Sequence, residues 1–104
     1  MKYLANVENE EIYLVPVAKK YLNNGSLAII LYKEDNEEFC SLTVNINEDY
    51  HGTNTAYVDS NNYSWIRDFI EDNDLGAPTG RAGRSGFCIY PEYKFKMEKL
   101  NKEK

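Results

Sequence analysis

The sequence predicts an α+β fold: an antiparallel sheet of four to six strands, packed on one face against a single main helix. Three observations carry that expectation. Runs rich in β-branched and aromatic residues recur between turn signals. One segment, SWIRDFIEDNDLG, has the apolar spacing of an amphipathic helix. The chain has 104 residues, 42% hydrophobic and 13% aromatic, enough for one core and too apolar for disorder. A single domain over 1–104 is expected.

The elements follow in order. EIYLVPVAKKYL reads as strand, but Pro16 has no amide to donate, so it is an edge strand or two short pieces. NNGS, residues 23–26, is a hairpin turn in which Asn and Gly tolerate positive φ. LAIILY, residues 27–32, is apolar on both faces and reads as a central strand. KEDNEE is a polar turn. FCSLTVNIN then alternates, with Cys40, Leu42, Val44 and Ile46 on one face and Ser41, Thr43 and Asn45 on the other. TAYVD, residues 55–59, is a short strand, and DSNN, residues 59–62, is a turn whose side chains bond their own backbone.

Ser64 is the expected helix N-cap, and Trp65, Ile66, Phe69 and Ile70 form the apolar stripe. Gly76 is the expected left-handed residue past its end. The acids Glu71, Asp72 and Asp74 sit at the end of the helix that the dipole disfavours. GAPTGRAGRSGF, residues 76–87, is expected to be a glycine-rich loop. FCIYPEYKFKMEKL alternates again, with Phe87, Ile89, Tyr93, Phe95 and Met97 on one face and Lys94, Lys96 and Glu98 on the other. Pro91 places this strand near an edge or at a bulge. Residues 100–104 are expected to fray.

Charge is unevenly distributed. The net charge is −5, yet from Ala77 onward seven basic residues face three acidic ones, and the rest carries five basic against fourteen acidic. Such a split suits steering of a partner, or simply solubility, with lysines on an exposed edge strand that prevent sheet-to-sheet association. No apolar run is long enough to span a membrane, and the acidic N-terminal stretch does not resemble a signal peptide. A cytoplasmic protein without a membrane partner is expected. Two cysteines, Cys40 and Cys88, make neither a disulfide framework nor a zinc site.

The glycine loop carries Arg81 and Arg84. It fails the P-loop pattern, because it has no lysine and follows a helix instead of preceding one. It also fails the dinucleotide pattern, since Gly80, Gly83 and Gly86 are evenly spaced. Two guanidinium forks among small residues still suit one anion or an acidic protein surface. Phe87 and Tyr90 lie close enough in sequence to stack on a base. Its bland reading is a connection whose arginines pair with the acidic end of the helix. His51, with Glu48 and Asp49, matches no metal-ligand spacing. No activating motif surrounds Cys88 or His51 as a nucleophile pair. The sequence therefore predicts no catalytic residue, no metal and no cofactor.

LTVNIN, DSNN, a helix ending DNDLG and SGFCIYPEYKF stand in that order across residues 42–100. Together they resemble a family of small bacterial proteins of unknown function carried on conjugative elements and phages. That family has a T-V-N strand, a D-T-N-N turn and an S-G-F-C-x-Y-P-x-Y-x-F strand; Ser60 replaces its threonine with the hydroxyl kept. The resemblance implies an accessory protein of a mobile element and no activity, cofactor or catalytic residue.

The expected function is a non-enzymatic protein-binding module, extending to inhibition of a host defence protein. Its binding residues are Arg81, Arg84, Phe87 and Tyr90, with Asp59 and Asn61 as polar neighbours. A nucleic-acid-binding module using the basic C-terminal quarter is the alternative. The acidic remainder would also suit a mimic of nucleic-acid phosphate. A homodimer would bury aromatics among the nine tyrosines.

Overall fold

The computed structural model describes residues 1–46 and 54–103. His51 and its neighbours Glu48 and Asp49 lie outside the described residues. The chain is mostly antiparallel strand with one helix, as expected of an α+β protein, but it builds two sheets instead of one. The first sheet contains β1 (Tyr3–Val7), β2 (Glu10–Lys20), β3 (Leu27–Lys33) and β4 (Glu38–Ser41) in that order. The second contains β5 (Thr43–Val44), β6 (Thr55–Val58), β7 (Gly76–Ser85) and β8 (Cys88–Phe95), ordered β5-β6-β8-β7. The helix α1 runs over Ile66–Asp72. Among the described residues no helix is long and apolar enough to cross a membrane.

The sheets part at Leu42. Its amide donates to Ile29 O (2.9 Å) in the first sheet and its carbonyl accepts from Asp59 N (3.0 Å), just past β6 in the second. The alternation expected over residues 39–47 therefore breaks. Thr43 is buried beside Leu42, its Oγ1 accepting from Ile29 N (3.1 Å) and sharing a hydrogen bond with Tyr21 Oη (2.8 Å). Val44 is left half-buried. A satisfied hydroxyl at the crossing costs less than a period-2 pattern suggests.

Pro16 stands inside one continuous strand. β1 pairs with β2 from Glu10 to Leu14, and the space beyond Pro16 is taken by β9 (Asn101–Lys102), which pairs in parallel with Val17 and Ala18. Pro16 thus sits where one neighbour ends and the next begins, so its missing amide leaves no partner unsatisfied. Asn101 closes the gap, its Nδ2 donating to Pro16 O (3.0 Å). The tail expected to fray is held through residue 102 by this pairing. The hairpin turn at residues 23–26 is present, with Gly25 at φ 72°, and β3 is central as expected, between β2 and β4.

The helix differs at both ends from its sequence reading. Ser64 does not cap it; Trp65 holds the cap position without a side-chain hydrogen bond, and the backbone bonds Tyr63 N to Asp59 O (3.2 Å) and Ile66 N to Tyr63 O (3.1 Å) carry the entry turn. At the other end, Leu75 N reaches Ile70 O (2.9 Å) and Asp74 N reaches Glu71 O (3.1 Å). This is the paired closure of a Schellman motif, with Asp74, not Gly76, in the left-handed position at φ 54°. Gly76 instead opens β7, where a Cβ would stand 2.6 Å from Lys94 O.

One core joins both sheets and the helix. Leu14, Ile29, Leu31 and Leu42 meet Val58, Tyr93 and Phe95, and Ile66, Phe69 and Ile70 face them from α1. Each fully buried aliphatic or aromatic side chain there contributes roughly 1.5–3 kcal/mol.

Candidate functional site: the glycine hairpin

The segment 76–87 is not a loop. It forms β7 and the turn of a hairpin with β8, in register from Gly76 opposite Phe95 to Ser85 opposite Cys88. The two residues of the turn are Gly86 and Phe87. Gly86 has φ 60°, the positive value that tight hairpins require at their first central position. A bulge between Pro78 and Ala82 uses Gly80 at φ 90°. Glycine frequency here reflects a bent edge strand and its turn, chemistry that a sequence pattern does not separate from a loop.

The hairpin extends beyond its support. β6 pairs with β8 only over Glu92–Lys94, so residues 88–91 of β8 continue without a described strand on that side. Among the described residues, Asn61 and Tyr57 help to hold this end. Asn61 Nδ2 donates to Ile89 O (3.0 Å), and the Tyr57 ring reaches across to the bare backbone of Gly83. Because the core ends before this point, Phe87 and Ile89 are exposed (108% and 54%). Of the face expected to hold Phe87, Ile89, Tyr93, Phe95 and Met97, Tyr93 and Phe95 are buried, Met97 packs partly buried against the core, and Phe87 and Ile89 are exposed.

Each predicted site residue has a defined place. Arg84 lies opposite Ile89 and is exposed. Arg81 lies at the bulge, its Nε 3.6 Å from Glu92 Oε1, and not at the acidic helix end. Glu92 is buried (3%) and also accepts from Thr79 Oγ1 (2.6 Å). Tyr90 is half-buried, opposite Gly83. The neighbouring Cys88 thiol, desolvation and the Asp59 charge raise its pKa. Asp59 is buried, and both of its carboxylate oxygens accept from Asn62 Nδ2 (3.2 and 2.9 Å). Asn61 is exposed and serves as the tether.

Arg84, Phe87 and Ile89 thus come together at the tip, with Arg81 along the same edge strand. Asp59 stays behind them as part of the turn that precedes α1. Ile89 was missed as a surface residue because alternation assigns a face and not the point where the core stops.

Two lysines of the basic C-terminal quarter are engaged at the end of the helix. Lys96 Nζ bonds Asp74 Oδ2 (2.6 Å), Lys99 Nζ lies 4.0 Å from the same oxygen, and Lys99 also donates to Asn73 O (2.7 Å). Those lysines neutralise the helix C-terminus, where cations are favoured. Cys40 is buried, and desolvation, with the charges of Asp59 and Glu38, pushes its thiol up to about 12. That is the opposite of an activated nucleophile.

Residues 17–103 match the model of a family described as a domain of unknown function (DUF4313), and the chain belongs to that family. No curated protein and no solved structure matches the chain.

Proposed function

We propose that this DUF4313 protein is a non-enzymatic protein-binding module that engages its partner through the tip of the β7–β8 hairpin. The observation that carries the reading is Phe87, an aromatic ring fully exposed at a two-residue turn. Ile89 and Arg84 stand beside it across the strand pair. An aromatic anchor with an adjacent arginine is the composition of interface hot spots, and exposed apolar groups in such a cluster mark contact surfaces. β7 is also an edge strand, open to pairing with a partner strand. The sequence resemblance adds the context of a mobile element, in which the partner would be a host protein, including a defence protein that it inhibits.

Direct nucleic-acid binding gains less support. Of the basic residues described after Ala77, Arg81 is paired with Glu92, and Lys96 and Lys99 gather around Asp74. A phosphate-tracking surface needs cations aligned on one face.

The test is affinity capture from host lysate with and without nuclease, comparing wild type with Arg84→Glu/Phe87→Ser. A partner retained by wild type after nuclease and lost in the double variant is the expected result. Capture abolished by nuclease alone would assign the surface to nucleic acid. Identical partners for both proteins would return the hairpin to a structural role.

A further inference from the structure

A second surface lies at the opposite end of the chain's sequence logic, in the first sheet. β9 covers only Val17 and Ala18 of β2, and β1 stops at Leu14. Beyond Ala18, no described strand pairs with the outer edge of β2, and an open groove of about 640 Å³ forms where β9 meets the β2–β3 turn. Its apolar wall is Ala18, Leu22, Leu27 and Met97. Leu22 is fully exposed (105%). Lys19, Lys20 and Lys102 stand among them against one acid, Glu103. A second groove of about 390 Å³, with Val15 and Val17, shares Lys19, Lys102 and Glu103.

The lysines differ in their commitments. Lys19 Nζ donates to Tyr32 Oη (2.7 Å) and lies over that ring. Lys20 and Lys102 have no acidic partner among the described residues. Cations concentrated on apolar surface are not needed for solubility in a chain whose net charge is −5. They do complement a ligand that is both acidic and apolar. The groove is of the size that holds small ligands and anchoring side chains, and its open shape suits an extended chain better than an enclosed molecule.

We propose that this groove binds an extended acidic peptide segment of a partner protein, with carboxylates at Lys20 and Lys102 and an apolar side chain against Leu22, Leu27 and Met97. It is a site separate from the hairpin and stands or falls without it.

The test uses a short fluorescein-labelled peptide of alternating Leu and Glu, with a Leu–Gln counterpart, in fluorescence anisotropy and amide-shift titrations of the full chain. The acidic peptide should bind and shift amides of residues 18–27 and 97–103. The neutral peptide, and the acidic peptide on Lys20→Glu/Lys102→Glu, should bind at least about tenfold more weakly, and salt should weaken the wild-type complex. Leu22→Ser, at an exposed position that does not support the fold, should weaken it as well. Arg84→Glu/Phe87→Ser should bind the peptide as wild type does. Unchanged anisotropy, equal affinity in the charge-reversed variant, or shifts centred elsewhere would overturn the proposal. So would phosphatidylserine-vesicle binding lost in the same charge reversal without peptide binding, which would assign the groove to a membrane surface. A concentration-dependent dimer lost in that variant and not displaced by peptide would assign it to a second copy and overturn it likewise.

Discussion

Gly83 and Tyr57 are in contact across the hairpin, with no room for a side chain between them. A Cβ at Gly83 would stand 2.7 Å from Tyr57 Cε1 and 2.9 Å from Ile46 Cδ1. The ring end can swing away, so Gly83→Ala should destabilise the fold modestly, by about 1 kcal/mol, at the low end of overpacking costs. At Gly76 the obstacle is the backbone itself, Lys94 O at 2.6 Å. Gly76→Ala should therefore cost more, about 3 kcal/mol or above. Urea unfolding of the two variants checks the order; equal losses would contradict it.

Arg81 and Glu92 share an ion pair but not an environment. The Arg81 side chain is 83% exposed and that of Glu92 is 4% exposed. Arg81→Ala should change stability by no more than about 0.5 kcal/mol. Glu92→Ala removes the buried acceptor of Thr79 and should cost about 2 kcal/mol. Arg81 can thus be tested for partner contact without disturbing the fold, whereas Arg81→Glu would set a second carboxylate beside Glu92. Equal stability losses for the two alanine variants would mean that the pair is buried as a unit.

Asp74 occupies a left-handed position that glycine enters without steric cost. Its carboxylate meets Lys96 and Lys99 at the surface, and the Lys96 hydrogen bond and charge hold its pKa below the ordinary value. Exposed pairs contribute little, so backbone relief should win: Asp74→Gly raises Tm by a few degrees and Asp74→Ala lowers it. The carboxylate's own contribution is present above the unfolded pKa and disappears as pH falls through the lower folded value. Asp74→Gly should accordingly lose less stability than wild type on acidification below pH 3.8. A lower Tm for Asp74→Gly at neutral pH would show that the ion pairs dominate.

Much of the strand content was legible because period, turn chemistry and proline placement are local properties. LAIILY became the central β3, and NNGS became its turn. What escaped was long-range. Nothing within FCSLTVNIN announces that Leu42 bonds to two different sheets. Pro16 looked like an interruption because its neighbours, β1 and the C-terminal β9, come from opposite ends of the chain. At the candidate site, composition singled out Arg81, Arg84 and Phe87, while the exposure of Ile89 and the burial of Asp59 depend on where the core ends. The lysine groove was invisible for the same reason: Lys20 and Lys102 are far apart until β9 docks on β2.

The two thiols should report this geometry directly. Cys40 lies in the core and Cys88 is half-buried at the hairpin. Near pH 8, iodoacetamide should modify Cys88 in the folded protein and reach Cys40 only through unfolding, with rates differing by at least about a hundredfold, since the reactive species is the thiolate. Desolvation, with the charges of Asp59 and Glu38, raises the Cys40 thiol from 9.0 to about 12. The native state then holds a proton that the unfolded chain releases. The associated stability is fully present below pH 9.0 and is lost as pH climbs toward about 12, at up to about 1.4 kcal/mol per pH unit. Cys40→Ala gives up packing at neutral pH but should show a shallower alkaline loss than wild type. Parallel stability curves for the two proteins between pH 9 and 11, or prompt alkylation of Cys40 in the folded state, would mean that the thiol is solvated and that the seam between β4 and the core is open to water.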